Sequence, residues 1–356
     1  MDQRFDRHAH IPGWRQELLA AATVVIAGAG AVGNELARML GMAGVGKLLI
    51  ADFDDVAESN LSRCTLFTEA DIGLPKVDAL RKNLLKLAPH TQVDARNKEF
   101  RQAVGLAEIR DANLVMSCVD SNAARIELAA RCRLVNAPYI DGGTNPWGGE
   151  IRLFLDPAGP CYACYAGNNM KRGQAEIPQS CAPPLSAPVS GSAIIMTSLV
   201  AAWMADFALR HLMGLKNPAG ILRINGETGC SQWVEGKKNK NCLYHLPLGR
   251  KPVKTEVTNT ATVAQLLAAV APANPLLWHP MPVGKTCRHC GAWLPMGTDD
   301  QSCSSCGSTE KEFVLKKEYE LSFFNKEERL ENLGIPPGEI LSCSDRQLTR
   351  FIELAY

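Results

Sequence analysis

Residues 24–76 leave this chain few folds to choose from. They open with the apolar run 24–27 and pass through Gly28, Gly30 and Gly33 in a GxGxxG spacing. Leu36, Met39, Leu40 and Ala43 then recur at the i, i+3, i+4, i+7 positions of one helical face. A second apolar run, 47–51, ends on Asp52. Strand, glycine loop, helix and strand in this order open a mononucleotide-binding βαβ unit, whose glycines let backbone N–H groups approach a phosphate at the positive end of the helix. Asp52 comes 19 positions after Gly33, at the strand tip where a carboxylate accepts hydrogen bonds from a ribose.

A nicotinamide-dependent oxidoreductase would share that glycine spacing, but it has no need of the cations that follow. Asp52, Asp54, Asn60, Arg63 and Lys76 gather within a turn and a helix of the phosphate site, and Arg and Lys there point to a triphosphate. The run DFDDVAESNLSRC, continuing to GLPK, resembles the superfamily of ubiquitin-activating enzymes and their bacterial relatives, the ThiF/MoeB-type adenylyltransferases. Their motifs are a GxGxxG strand-helix, a DxD, an SNLxRQ and a GxxK in this order, and Cys64 stands here where the family has Gln.

The resemblance spans residues 4–246 and implies a Rossmann-like α/β domain, its largely parallel sheet extended by antiparallel strands. It implies ATP and Mg²⁺ as cofactors and a homodimer. The activity it implies is adenylation of the C-terminal carboxylate of a ubiquitin-like or sulfur-carrier protein ending in Gly-Gly, with release of pyrophosphate. Gly28, Gly30, Gly33, Asp52 and Asp54 would shape the nucleotide site, Asn60 orient the phosphates, and Arg63 and Lys76 hold them. Arg7, in RFDR, matches an arginine that in the family reaches the phosphates of the partner subunit. The family's CxDN-xxxR pattern is met by Cys118, Asp120 and Arg125, with Ser121 in place of Asn, and Asp120 would hold the magnesium. From the residues alone, Asp120 also reads as the N-cap of a helix over 122–134.

Thirteen cysteines in a chain whose charged start lacks an apolar leader, and which therefore reads as cytoplasmic, point to metal or chemistry rather than disulfides. Cys287, Cys290, Cys303 and Cys306 form two C-x2-C pairs 12 residues apart, each followed by Gly, the knuckle pattern of a zinc ribbon. Cys161 and Cys164 follow a proline as in the family, where they form half of a structural zinc site. Cys242 and His245 occupy the place of the other half, so the expectation is a Cys3His site and two structural Zn²⁺ ions in all. The net charge of +1 and the lack of an aromatic-and-basic stripe argue against nucleic acid and for a staple or protein-docking role of the ribbon.

Between the first metal half-site and an apolar helix over 193–215 lies a polar, proline-rich crossover loop containing Cys181. Family members that form a thiol adduct carry their cysteine in this loop, so Cys181 is the candidate nucleophile for a thioester step after adenylation. Gly142, Gly143, Gly148 and Gly149 are expected to leave room for a substrate tail. The uncharged run 177–205 is broken by prolines and hydroxyls and reads as buried core, not a bilayer span. The domains expected are an adenylation domain over 1–248, a linker and helix over 249–280, the ribbon over 281–311 and a small α+β region over 312–356. That last region vaguely resembles a ubiquitin-fold module that recruits a conjugating enzyme. Two other readings of the same fold stand open: adenylation of a small carboxylate or a tRNA base, and a non-catalytic scaffold.

Overall fold

The computed structural model describes residues 3–165, 191, 193–242, 245–276, 281–295, 302–309, 311–316, 320–344 and 349–356. It divides into two units, Met1–Gly249 and Arg250–Tyr356. The first unit is built on eight strands: β1 (Thr23–Ala27), β2 (Lys47–Ala51), β3 (Gln92–Arg96), β4 (Leu114–Ser117), β5 (Tyr139–Asn145), β6 (Gly148–Phe154), β7 (Gly220–Asn225) and β8 (Cys230–Val234). Their order in the sheet is β3-β2-β1-β4-β5-β6-β7-β8. The first five run parallel, and β6, β7 and β8 extend them antiparallel. Parallel strands covered on both faces need continuous apolar runs, which the buried residues of β1, β2 and β4 supply.

Among the described residues of this unit the helices are α1 (Gln16–Ala20), α2 (Ala31–Met42), α3 (Lys76–Leu87), α4 (Phe100–Ala103), α5 (Leu106–Asp111), α6 (Asn122–Leu134), α7 (Tyr162–Tyr165) and α8 (Ile194–Leu212). Leu36 and Leu40 of α2 and Val200, Met204 and Phe207 of α8 share one core with the parallel strands. Burying each such side chain stabilises the fold by about 1.5–3 kcal/mol. Among the described residues no helix is long and apolar enough to cross a membrane. Because β1 pairs with β2 on one side and β4 on the other, the chain order reverses at β1. The crevice at the carboxyl ends of β1 and β4 is where an open α/β sheet binds its ligand.

In the second unit β9 (Val253–Thr258), α9 (Val263–Val270), β10 (Asn274–Leu276), β14 (Ile340–Ser344) and β15 (Thr349–Ala355) form a four-stranded sheet, order β10-β14-β15-β9, with its helix. Between β10 and β14 the chain makes β11 (Met281–Cys287), β12 (Trp293–Pro295) and β13 (Lys311–Lys316), a separate three-stranded sheet. Residues 253–276 are therefore part of a packed module and not a linker. Val253, Thr255 and Val257 alternate with Lys254 and Glu256, the period of a strand, and Thr262 caps α9 reciprocally with Gln265. The helix expected between 312 and 356 is replaced by short turns. Leu330–Leu333 is a single 3-10 turn whose Leu330 N–H bonds Ala261, and Gly334 ends it in the left-handed region.

Candidate active site and metal centres

The glycine loop is shaped by two close approaches. Gly28, at φ +97°, lies so near the end of β4 that a Cβ would sit 2.7 Å from the Cys118 carbonyl oxygen. A Cβ on Gly33 would sit 1.9 Å from the Gly28 carbonyl oxygen. Gly30, the N-cap of α2, has no protein atom within 4 Å of its would-be Cβ. The loop thus closes tightly on itself at two glycines and is open at the third, directly before the first-turn N–H groups that a helix leaves without intrahelical partners.

Asp52 at the tip of β2 grips this loop. Its Oδ2 accepts the Ala29 N–H at 2.6 Å and its Oδ1 accepts the Asp54 N–H at 2.9 Å. Burial pushes its carboxyl above the ordinary range, against the pull of Lys76 and the two N–H groups. Lys76, 9% exposed at the start of α3, donates from Nζ to Asp54 Oδ2 at 2.7 Å and from its N–H to the Asp54 carbonyl at 2.8 Å. Asn60 closes the next turn by accepting the Ala57 N–H at 2.9 Å, and Arg63 donates to the Ser59 carbonyl at 2.5 Å. Between the two groups lies Cys64, 2% exposed, its thiol pushed up to about 11 by burial while Arg63 and Lys76 pull the other way. Asp52, Asp54 and Lys76 are thus bonded to one another and to the glycine loop, while Asn60 and Arg63, linked by the Arg63 N–H to the Asn60 carbonyl at 3.0 Å, lie in the turns between Asp54 and Lys76.

At the tip of β4, Asp120 is exposed. The helix cap that the sequence allows Asp120 belongs to Ser121 instead, whose Oγ accepts the Ala124 N–H at 3.1 Å. The cap falls one residue later because α6 begins at Asn122, which makes Ser121 the flanking residue whose side chain reaches the N–H of Ala124, three positions on. Arg125 turns inward: it donates to Asp141 at 2.6 Å, to the Gly142 carbonyl at 2.9 Å and to the Val119 carbonyl at 2.5 Å. Asp141, fully buried, also accepts Arg152 at 2.6 Å, and Arg152 and Arg223 both pair with Glu150. This buried ion chain was not legible in the sequence, where only the place of Arg125 in the family pattern hinted at it. The glycines of β5 and β6 meet internal neighbours on their Cβ side, and Gly148 and Gly149 also line a cleft of about 600 Å³ with Trp147 and Arg223. A Cβ on Gly142, Gly143, Gly148 or Gly149 would meet Met204, Arg125, the Ile224 carbonyl or Val200 at 2.0–2.8 Å, so their smallness serves internal packing.

Arg7 is exposed on an arm anchored far from this loop. Phe5 is buried against Gly44, where a Cβ would lie 2.9 Å from its ring, and meets His90 edge-on at 5.0 Å. Arg4 donates to the Leu87 carbonyl at 2.7 Å. These anchors sit at the carboxyl ends of α2 and α3, about 18 Å along α2 from the glycine loop at 1.5 Å per residue.

Cys161, Cys164, Cys242 and His245 bring their donor atoms within 4.8 Å of one another. Sulfur–sulfur distances are 3.8 Å between Cys161 and Cys164 and 3.6 Å between Cys161 and Cys242, and His245 Nε2 lies 3.0 Å from Cys164 Sγ. Cys287, Cys290, Cys303 and Cys306 form the second such group. In each pair the first carbonyl accepts the N–H of Gly291 or Gly307, both left-handed, which turns the chain so that the two sulfurs face one point. Both groups could hold a metal ion, and their donor sets are those of closed tetrahedral sites.

Cys181 lies outside the described residues. Of the other cysteines away from the metal groups, Cys118 and Cys132 have thiols pushed far up by burial, Cys343 is raised to about 12, and Cys230 is exposed.

The model of one protein family, described as the ThiF family, matches residues 5–244. The molybdopterin-synthase adenylyltransferase of Escherichia coli (strain K12) is 36% identical over 45% of this chain, which spans 66% of that protein's length. The sulfur carrier protein ThiS adenylyltransferase of the same strain is 31% identical over 61% of this chain and 82% of its own. The sulfur carrier protein adenylyltransferase of Thermus thermophilus is 32% identical over 68% and 88%. Among solved structures, E. coli MccB with AMPCPP and MccA matches 68% of this chain and 74% of its own, at a TM-score of 0.58 and 19% identity, a likeness of fold. With the glycine loop, the switch at β1 and a family match over more than half of its length, the chain belongs to the ThiF family.

Proposed function

We propose that the chain uses ATP to adenylate the C-terminal carboxylate of a sulfur-carrier or ubiquitin-like protein. The observation that carries this reading is the bonded group Asp52, Asp54 and Lys76, tied through Asp52 to a glycine loop that among its three glycines is open only at Gly30, with Asn60 and Arg63 in the turns that connect Asp54 to Lys76. The relatives named for molybdopterin synthase and for sulfur carriers favour a protein tail as substrate. A carboxylate oxygen attacks the α-phosphorus, the bond to the bridging oxygen breaks, and the electron pair leaves on pyrophosphate. The N–H groups of α2 hold phosphate oxygens, and Lys76 and Arg63 offset the charge that grows on the leaving group. Asp52 keeps the loop closed while a lone pair remains for the ribose. Magnesium, when bound, would neutralise phosphate charge, and the role of holding it is assigned to Asp120, whose exposure past the end of β4 supports the assignment.

Arg7 serves the site of a second copy, which makes the working unit a homodimer. Zinc is the ion assigned to both Cys groups, and in each it closes loops that have little core of their own. Cys181 is the candidate for a second step, in which its thiolate attacks the acyl carbon and releases AMP. Cys64, Cys118, Cys132 and Cys343 are too buried and too weakly acidic for that work.

The test is ATP–pyrophosphate exchange with candidate carriers ending in Gly-Gly. Exchange that needs the carrier, and that falls about 10²–10³-fold in Lys76→Ala or Asp120→Ala, supports the reading. Exchange that proceeds as fast with a small carboxylate and no carrier overturns the protein-tail assignment. A reducible carrier adduct lost in Cys181→Ala, with exchange kept, supports the thioester step, and an adduct that persists removes Cys181.

A further inference from the structure

The end of α6 meets the first metal centre at two points. Arg133, 7% exposed in the last turn, turns its guanidinium into the bend 156–160 that delivers Cys161. Its Nη1 donates to the carbonyls of Pro157 and, at 3.5 Å, Asp156; its Nη2 donates to those of Gly159 at 3.5 Å and Pro160 at 3.3 Å. One residue on, the Leu134 carbonyl accepts the N–H of Leu248 at 2.8 Å, three positions past His245. The chain entering the centre and the chain leaving it are thus tied to the same helix end. Beside the entering chain only a small cavity of about 10 Å³ is left, lined by Cys132, Arg133, Tyr139, Phe154, Cys161 and Tyr162.

The bend is rich in acceptors. Pro157 and Pro160 bring carbonyls but no N–H, so the bend presents acceptors that a donor group on α6 can gather. A guanidinium, with five donors in a fixed fork, can serve several carbonyls at once, which an ammonium cannot do in one geometry. Its positive charge is also placed where three thiolates around a divalent ion leave a net negative centre, and at the negative end of the helix dipole.

We propose that Arg133 is a positioning residue of the centre formed by Cys161, Cys164, Cys242 and His245: it fixes the backbone that aims the Cys161 thiolate and offsets the charge of the loaded site. This rests on the assignment of zinc above. Because the outer partners of ligands set metal retention, losing one costs about 10–100-fold.

The full-length, zinc-loaded chain is mixed with a chromophoric chelator and the release of its two ions is followed. In Arg133→Ala one ion is expected to leave about 10–100-fold faster while the other, from the four-cysteine centre, keeps its wild-type rate. Arg133→Lys restores charge without the fork and should fall between; should the alanine variant not accumulate folded, Arg133→Lys and Arg133→Gln carry the same comparison. In the cobalt-loaded protein, the visible bands of the three-sulfur, one-nitrogen centre should shift in the variants and those of the four-sulfur centre should not. Wild-type release of both ions overturns the proposal, as does equal acceleration of both, which marks general loosening. A wild-type chain that holds only the four-cysteine ion removes the zinc assignment itself, a result distinct from two ions that Arg133→Ala leaves untouched.

Discussion

Asp71 shows how a single buried carboxylate can make the fold sensitive to acid. It is fully buried, and its oxygens accept the Thr68 N–H at 2.9 Å, the Thr68 hydroxyl at 2.7 Å, the Asn83 amide at 2.9 Å and the Lys82 ammonium at 2.9 Å. Burial alone would raise its pKa; Lys82 and the hydrogen bonds outweigh burial and hold the carboxyl far below the ordinary range. A folded-state value below the unfolded one means the stabilisation is fully present above about pH 4 and is lost as pH falls through the folded value. Asp71→Asn is therefore expected to lower stability by about 2 kcal/mol near neutral pH, with the gap from wild type closing as melts are repeated from pH 4 downwards. A constant gap across that range would show that the residue acts through shape and not through charge. Nothing in the sequence marks Asp71, whose partners lie within one loop and one helix turn but face it only once the fold is made. That Asp52 sits at the glycine loop with Lys76 beside Asp54 was legible because a fixed spacing after such a loop restricts where the residues can be, whereas Arg125 and Asp141 meet only across a sheet.

The glycine loop and α2 divide their glycines between folding and function. Gly28 and Gly33 are demanded by neighbouring backbone, so Gly33→Ala should destabilise by about 1–3 kcal/mol or more, visible in a thermal melt whether or not nucleotide is present. Gly30 faces open space at φ −68°, a conformation any residue adopts, so Gly30→Ala should cost the fold little beyond a weaker N-cap. If phosphate approaches there, however, the added methyl group should raise the ATP requirement in the exchange assay while the melting temperature stays close to wild type. A Gly30→Ala chain that binds ATP normally would place the phosphate elsewhere. At this scale the sequence was informative where periodicity and glycine spacing act together, as in β1, α2 and β2. It was less so where a polar strand reads like a linker. β9 is recognisable only once β15 lies beside it, and residues 326–334 have helical composition but bond to 259–264: Leu330 and Glu331 donate to the Ala261 and Asn259 carbonyls, and the Glu328 and Lys326 carbonyls accept the N–H groups of Val263 and Ala264.

For the whole molecule, the arm that carries Arg7 decides how many chains make a site. Phe5 and Arg4 pin the arm at the carboxyl ends of α2 and α3, a helix length from the glycine loop, so a role for Arg7 at phosphate calls for the loop of another copy. That arrangement makes an outcome that a monomeric site cannot produce. Arg7→Ala and Lys76→Ala should each abolish most pyrophosphate exchange as pure proteins. When the two are unfolded and refolded together, or co-expressed with different tags and purified through both, a mixed dimer pairs one chain lacking Arg7 with one lacking Lys76. One of its two sites then has both defects and the other has neither. Random mixing should thus restore roughly a quarter of the wild-type rate, since half of the dimers are mixed and one site in each is intact. The tandem-purified heterodimer should reach about half. If Arg7 instead served its own chain's nucleotide, every site in the mixture would lack one residue and no activity would return, whatever the oligomeric state measured by sedimentation. Sedimentation alone could report a dimer that has nothing to do with catalysis, so restored exchange is the measurement that ties assembly to the site.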